Sequence, residues 1–550
     1  MNVDVLVVGS GGGGLMAALT AATAGRRVLI AEKLATVGGS TALSGGALWI
    51  PDNPLMRAGG IADSFDDAWQ YVHGLVGDTG PATSKERKEA FLEQGPEMVE
   101  FMLSHGIELT ICRDYPDYYA ARSGGRSGGR SIESPVFDGK RLGSDYERLT
   151  RRLLIPSLAL RAQDLRGLSN GLRTWADIKT DLAILWRTVA GRFRGRVPLT
   201  MGAALVAQLW LAAHDRGVEL RTEAPLQRLL TDDRGAVTGA VIGGPSGATE
   251  VRARDGVILA TGGFSHNASM RSSYQPVSST MWTSANPGDE GDGIKAGITV
   301  GAAVAQMAEA WWMPSAIPAD GSPVMSAFER SKPGSIIVDA SGERFVNEAT
   351  SYMEVGQRMI ERGANPCWMI LDARNRRRYP LGSWPARWTP RRALRNGDIV
   401  RAPALTELAH RCGIDADGLE RTVKRFNGFC IDGREPDFGR GDDPYDRYYG
   451  DPRVRPNPSL GPINTAPFYA VALYAGDIGT NGGLLTDEHA RVLREGGGPI
   501  EGLYATGNCT ASVMGHAYPG AGATIAPSVV FGYIAARRAT GQSRTAPRDS

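Results

Sequence analysis

The stretch that decides the fold is Val3-Asp4-Val5-Leu6-Val7-Val8-Gly9-Ser10-Gly11-Gly12-Gly13-Gly14, an apolar run that empties into a glycine turn. An Ala-rich segment, Leu15 to Ala24, follows and predicts a helix; a second apolar run, Arg27 to Ala31, ends on Glu32. A strand, a glycine turn, a helix and an acid-tipped strand are the parts that hold an adenosine diphosphate. Gly9 permits the tight turn, Gly11 lets the backbone approach a pyrophosphate beside Ser10, and Gly14 lets the helix pack on the sheet. The helix N-terminus then faces the anion. Glu32, with Lys33 beside it, stands where a carboxylate accepts bonds from ribose hydroxyls. That position disfavours a 2′-phosphate, so the expected nucleotide is FAD or NAD, not NADP.

Bulk properties narrow the class. At 550 residues the chain exceeds a single simple core, and two domains are expected. A formal net charge of +2 gives no reason to expect nucleic acid as a partner. The five cysteines, Cys112, Cys367, Cys412, Cys430 and Cys509, are scattered and include no CxxC pair, so neither a metal site nor a disulfide frame is expected. No signal peptide and no membrane-spanning run is read, which points to the cytoplasm. The tail after Gly541 is polar and reads as frayed.

Further along, Gly38-Gly39-Ser40-Thr41 and Ser44-Gly45-Gly46 leave room for a flat ring system on the backbone. Residues 219–243 alternate like a small accessory sheet. Gly256 to Gly263 reads as a buried strand ending in a turn, with Thr261 and Gly262 returning to the nucleotide. The middle of the chain has its own strands, Gly334 to Asp339 and Trp368 to Asp372, and helices, Leu405 to Arg411 and Gly418 to Phe429. The fold expected is α/β: a Rossmann-type FAD-binding domain, residues 1–310 and 480–550, with an α+β catalytic domain, 311–479, inserted as a cap over the substrate.

The last seventy residues return to cofactor chemistry. A strand ends at Gly507 and Asn508, and Tyr518-Pro519-Gly520-Ala521-Gly522-Ala523-Thr524 precedes a helix beginning at Ile525. Unpaired amides and a positive dipole end there suit the flavin pyrimidine and a substrate carbonyl. No second GxGxxG unit exists, so electrons are expected to pass from substrate to flavin and on to an external acceptor such as a quinone.

Taken together, the fingerprint, Gly38 to Gly46, Ala260-Thr261-Gly262-Gly263-Phe264 and Ala505-Thr506-Gly507-Asn508 resemble the succinate dehydrogenase and fumarate reductase flavoproteins. More specific segments resemble 3-ketosteroid Δ1-dehydrogenases: Tyr115-Pro116-Asp117-Tyr118-Tyr119, Gly125 to Ile132, Arg344-Phe345-Val346-Asn347-Glu348 with Tyr352, Tyr445-Asp446-Arg447-Tyr448-Tyr449, and Tyr518 to Gly522. The similarity runs nearly end to end and is weakest over 140–200, a family-variable insertion. It implies 1,2-desaturation of a steroid ketone. Tyr518 O–H and the Gly522 amide would bind the C3 carbonyl, Tyr352 would remove the C2 proton, Tyr118 would support Tyr352, and flavin N5 would take the C1 hydride. A phenol of pKa ≈ 10 needs such a partner to serve as a base.

Two other functions stand beside this one. A fumarate-reductase-like enzyme would need a cationic clamp for carboxylates, and a degenerate paralogue would bind flavin and steroid without turnover. His516 is read as structural and Glu348 as a helix or domain contact. The segment Ala176 to Val197 mixes Leu182, Leu185, Trp186 and Phe193 with five cations. It is read as a surface helix that lays its apolar side on the domain, with peripheral membrane contact as the alternative.

Overall fold

The computed structural model describes residues 1–151, 158–171, 173–245, 247–275, 278–382 and 384–542. The tail expected to fray lies, beyond Gln542, outside the described residues. Asn2–Val8 is the central strand of the first sheet, paired in parallel with Thr249–Leu259 on one side and Val28–Ala31 on the other. Pro499–Ala505 extends the sheet in parallel beyond Thr249–Leu259, and Arg491–Leu493 closes that edge antiparallel. Strands from both ends of the chain thus share one sheet.

One expectation changes here. Residues 219–243 do not form one accessory sheet: Glu219–Arg221 pairs in parallel with Val28–Ala31 and extends the main sheet, while Leu226–Thr231 and Val237–Ile242 form a hairpin on Thr249–Leu259. Parallel pairing needs a long crossover. The connection containing the helix Met201–His214 supplies it.

Helix Gly12–Thr23 is buried along most of its length because it lies between the sheet and helix Ile525–Ala539. Gly13 and Gly532 let the two backbones touch: a Cβ on Gly532 would lie 2.3 Å from the Gly13 carbonyl oxygen.

The chain leaves this sheet at Ala310 and rejoins it after Thr480. Between those points it forms a six-stranded sheet around Phe468–Thr480, flanked by Ala310–Ala316 and Cys367–Leu371. The period-two pleat divides Ser335–Val338 between two cores. Ile336 and Val338 face Leu408, Leu419 and Phe426, whereas Ile337 faces Val355, Met359 and Val471. Buried Asp477 ties this sheet to the first half of the chain, accepting from Arg271 at 2.5 Å and Thr283 at 2.7 Å.

Helix Trp175–Phe193 also departs from the sequence reading. Asp177, Ile184 and Thr188 face inward, while Trp175, Leu182, Leu185, Trp186 and Phe193 face solvent. Polar bonds fasten the inner side: the Ala159 amide donates to Thr188 Oγ1 at 2.9 Å, Asn170 Nδ2 donates to Asp177 at 3.1 Å, and Arg187 pairs with Asp164. No helix among the described residues is long and apolar enough to cross a membrane. All five cysteines are free, and no cluster of metal-ligating side chains occurs among the described residues.

Candidate active site

A continuous cavity of about 1330 Å³ runs from the glycine turn to a group of tyrosines. At the turn the protein itself dictates two glycines. Gly9 has φ +105°, with a Cβ position 2.2 Å from Ala260 O, and a Cβ on Gly14 would lie 2.1 Å from Gly9 O. Gly11 is different. A Cβ there meets nothing nearer than Thr41 Oγ1 at 3.8 Å, and one on Gly45 meets nothing within 4 Å. The protein does not fill these positions, and a flat or phosphorylated ligand fits them. Glu32 is oriented toward the cavity by the Ser10 amide at 3.0 Å, Ser10 Oγ at 2.6 Å and the Leu34 amide at 2.9 Å. Its remaining acceptor capacity suits ribose hydroxyls.

Several other residues expected at the nucleotide line the cavity but also serve the protein. Lys33 pairs with Asp292 at 2.8 Å and with Glu290. Ser40 donates to Asp289 at 2.9 Å and accepts from the Asn286 amide at 2.8 Å. Thr41 accepts from the Gly12 amide at 3.0 Å, and Ser44 donates to Thr41 O at 2.6 Å. Gly39 and Gly46 take positive φ, and the Gly46 turn presses on the Met201–Gly202 peptide. Thr261, Gly262, Gly507, Asn508 and Ile525 line the same cavity, and Asn508 accepts from Trp311 Nε1 at 3.1 Å. Sequence reasoning missed Asp289. Burial raises it to about 7 against the Ser40 hydrogen bond, and its carboxylate packs against Gly262. It lies 249 residues from Ser40, so no local signal marks it.

Three tyrosines from three distant segments converge at the other end. The Tyr118 ring lies 5.5 Å from Tyr352 and 5.4 Å from Tyr518, and Tyr352 lies 4.9 Å from Tyr518. All three are buried, and burial pushes each phenol above its ordinary value. Tyr518 is shifted least far because donors gather on its oxygen: Thr524 Oγ1 donates at 3.1 Å, Tyr352 hydrogen-bonds it, and the Gly522 and Thr524 amides face it. Gly522 has φ +100°, and a Cβ there would lie 2.3 Å from Ala47 O, so only glycine fits. Ala521 keeps this turn in place by accepting from Ser131 Oγ at 2.9 Å.

Loop positions are set from outside the cavity. The Pro519 carbonyl accepts both the Tyr118 amide at 2.9 Å and the Tyr71 hydroxyl at 2.7 Å, joining the Tyr118 loop to the Tyr518 loop. Asp117 accepts from Trp49 Nε1 at 2.7 Å and Arg130 at 2.8 Å, and burial still raises it to about 6. Tyr445, unassigned from sequence, stacks 4.2 Å from Tyr118, and Tyr115 and Tyr449 share a 2.5 Å hydroxyl contact behind it. His516 sits 3.1 Å from Glu309, whose hydrogen bond raises its pKa.

Tyr352 opens helix Tyr352–Arg362, and Glu348 anchors the loop that delivers it. Arg344 donates to both Glu348 oxygens at 2.7 and 2.8 Å, Arg440 adds a contact at 3.0 Å, and the Ile337 amide a fourth at 3.1 Å. Burial disfavours this charge, yet the two guanidiniums outweigh it and hold the carboxyl at about 2. We expect Glu348→Ala to lower stability by about 3–5 kcal/mol, because it leaves buried Arg440 without a carboxylate and Arg344 with Glu435 alone. With the folded pKa depressed, the contribution of Glu348 is complete above its unfolded pKa near 4.5 and is lost as pH falls toward 2. Thermal unfolding of both proteins should therefore converge across that acid window, and equal midpoints at neutral pH would remove this role.

Comparison with known proteins gives the family. The family described as FAD binding domain matches residues 4–525. A 3-oxosteroid 1-dehydrogenase of Mycolicibacterium smegmatis is 41% identical over 97% of this chain and 96% of its own length. A 4-oxocyclohexanecarboxylate 2-dehydrogenase of Sinomonas cyclohexanicum is 36% identical over 98% of this chain and 93% of its own. The crystal structure of 3-ketosteroid delta1-dehydrogenase from Sterolibacterium denitrificans, in complex with 1,4-androstadiene-3,17-dione, superposes with a TM-score of 0.93 at 37% identity, covering 98% of this chain and 100% of that one. FAD, rather than NAD, is thus the dinucleotide of the cleft. The chain belongs to the FAD-binding flavoproteins and, within them, to the family of the 3-oxosteroid 1-dehydrogenases.

Proposed function

We propose that the protein desaturates the C1–C2 bond of 3-ketosteroids. The observation that carries this reading is the convergence of Tyr118, Tyr352 and Tyr518 with the Gly522 amide at one end of a cavity whose other end is the nucleotide turn. The sheet of residues 311–479, with its helices, acts as the inserted cap, and Tyr352 comes from it.

A proton beside a ketone becomes removable only when the developing enolate oxygen is stabilised. In this reading Tyr518 O–H and the Gly522 N–H, which lies beside the Tyr518 oxygen, donate to one carbonyl oxygen. The donors on the Tyr518 oxygen polarise its own O–H and strengthen it in that task. Tyr352 takes the C2 proton on its phenolate oxygen. It stands at the first position of an eleven-residue helix, whose free amides favour negative charge. The C2–H electrons form the enolate and then the C1=C2 bond as the C1 hydride departs; bound FAD supplies the acceptor for that hydride, and the electrons pass on to an external acceptor such as a quinone. Tyr118 packs edge-on against the Tyr352 ring and supports it.

The cavity wall favours a large neutral ketone over a small keto acid. Leu149, Leu160, Leu165, Met313, Met325 and Phe328 line it. Among the described residues, none of its basic side chains is a free carboxylate clamp: Lys33 pairs with Asp292 and Glu290, Arg151 pairs with Glu147 at 3.0 Å, and Lys332, pulled down to about 7 by burial, has its Nζ held by Ser169 Oγ at 2.9 Å, Asn170 Oδ1 at 2.7 Å and Tyr449 O at 2.6 Å. Anaerobic mixing with androst-4-ene-3,17-dione should bleach the oxidised flavin stoichiometrically and yield the 1,4-diene. Bleaching by 4-oxocyclohexanecarboxylate or succinate, with none by the steroid, would overturn the assignment.

A further inference from the structure

Helix Trp175–Phe193 is amphipathic in the reverse of the ordinary sense. Trp175, Lys179, Leu182, Trp186, Val189 and Phe193 recur at spacings of four and three and therefore share one face. That face is turned to solvent: Trp175 is 79% exposed, Trp186 70%, Leu182 59% and Phe193 89%. A protein surface seldom leaves two tryptophans and a phenylalanine uncovered on one stripe. The opposite face carries Asp177 and Thr188, both buried in polar bonds, so the helix has no second orientation in which the stripe would pack inward.

Charge identifies what covers it. Arg192, Arg194 and Arg196 are exposed at its C-terminal end, and Lys140 reaches to within 3.4 Å of the Cβ position of Gly195. The helix's own carboxylates, Asp177 and Asp181, lie on its inner side. Pairing this face with the same face of a second copy would set stripe against stripe but leave the arginines with no carboxylate of the helix to meet them. An anionic lipid surface offers apolar depth under the stripe and phosphates beside the cations.

We propose that this helix docks the protein on the surface of an anionic phospholipid bilayer, lying in the interface with Trp175, Trp186 and Phe193 inserted. The stretch that follows it, Val197 to Leu199, lines the cavity, as do Leu158 and Leu160 on either side of the Ala159–Thr188 bond. The inner face of the docked helix thus packs on the cavity wall, and docking would hold the cavity close to a bilayer in which a sparingly soluble ketone dissolves. The docking stands on the helix alone; its use in substrate delivery rests on the steroid reading above.

The test is flotation of the purified holoenzyme with vesicles of phosphatidylcholine mixed with phosphatidylglycerol, and with phosphatidylcholine alone. The wild type should float with the anionic vesicles. The triple variants Trp175→Ser/Trp186→Ser/Phe193→Ser and Arg192→Glu/Arg194→Glu/Arg196→Glu should each lose about tenfold or more of that recovery, while FAD content and thermal midpoint stay at wild-type values. Equal recovery of wild type and both variants, or no recovery of the wild type, would sink the proposal. So would a wild-type dimer in sedimentation velocity that the apolar variant dissociates, because the stripe would then be covered by a second copy. None of these readouts involves turnover, so they separate failure of the docking from failure of the desaturation.

Discussion

Tyr518→Phe should slow flavin reduction by androst-4-ene-3,17-dione by about 10²–10³-fold, the cost of deleting one preorganised oxyanion donor. Tyr518 holds its ring between Tyr118 and the edge of Trp311, so phenylalanine fills the same space and FAD content should not change. What disappears is a hydroxyl whose oxygen is engaged by Thr524 and whose hydrogen is thereby sharpened as a donor. The Gly522 amide remains, so steroid binding should weaken far less than the rate. Stopped-flow bleaching under anaerobic conditions gives the rate and its saturation gives the affinity. A wild-type rate would remove Tyr518 from the reaction.

Tyr352→Phe should be at least as damaging, with a loss of about 10²–10⁴-fold for a positioned proton acceptor. Its signature differs in two ways. Burial, together with neighbouring phenols, pushes Tyr352 well above the ordinary tyrosine range, so little phenolate exists at neutral pH. The rate of flavin reduction in the wild type should therefore climb as pH rises through the alkaline range, close to tenfold per unit well below the pKa, and the variant should lose that climb. Exchange of the C2 hydrogen with solvent deuterium should also vanish in Tyr352→Phe. A variant that kept both the exchange and the pH slope would assign the base elsewhere.

The nucleotide end of the site was legible because its logic is local. Val3 to Glu32 carries strand, turn, helix and acid within thirty residues, and Gly14 is demanded by a contact inside that unit, with Gly9 O, whereas the space around Gly9 is closed by Ala260 from a distant strand. Tyr118, Tyr352 and Tyr518 are separated by hundreds of residues and could be singled out only through resemblance to a known family. Chain spacing could not place their rings within 6 Å of one another, as the fold does. Illegible were the groups whose partners are chosen by tertiary packing. Asp289 meets Ser40, Asp117 meets Trp49, Tyr71 meets Pro519, and nothing near any of these in sequence announces the pair. The outward face of Trp175–Phe193 belongs to the same class. Apolar periodicity predicts a helix there, but its orientation follows from Asp177, Arg187 and Thr188 finding polar partners in the segment just before it, at Asn170, Asp164 and Ala159.

The shared sheet also makes the glycine turn depend on a segment far downstream of it. Helix Gly12–Thr23 is covered by Ile525–Ala539, and Pro499–Ala505 completes the sheet beyond Thr249–Leu259. Gly507, Asn508, Thr524 and Ile525 of that segment line the cavity beside the turn. A chain interrupted upstream of Pro499 should therefore emerge colourless, without FAD, rather than as a partial holoenzyme.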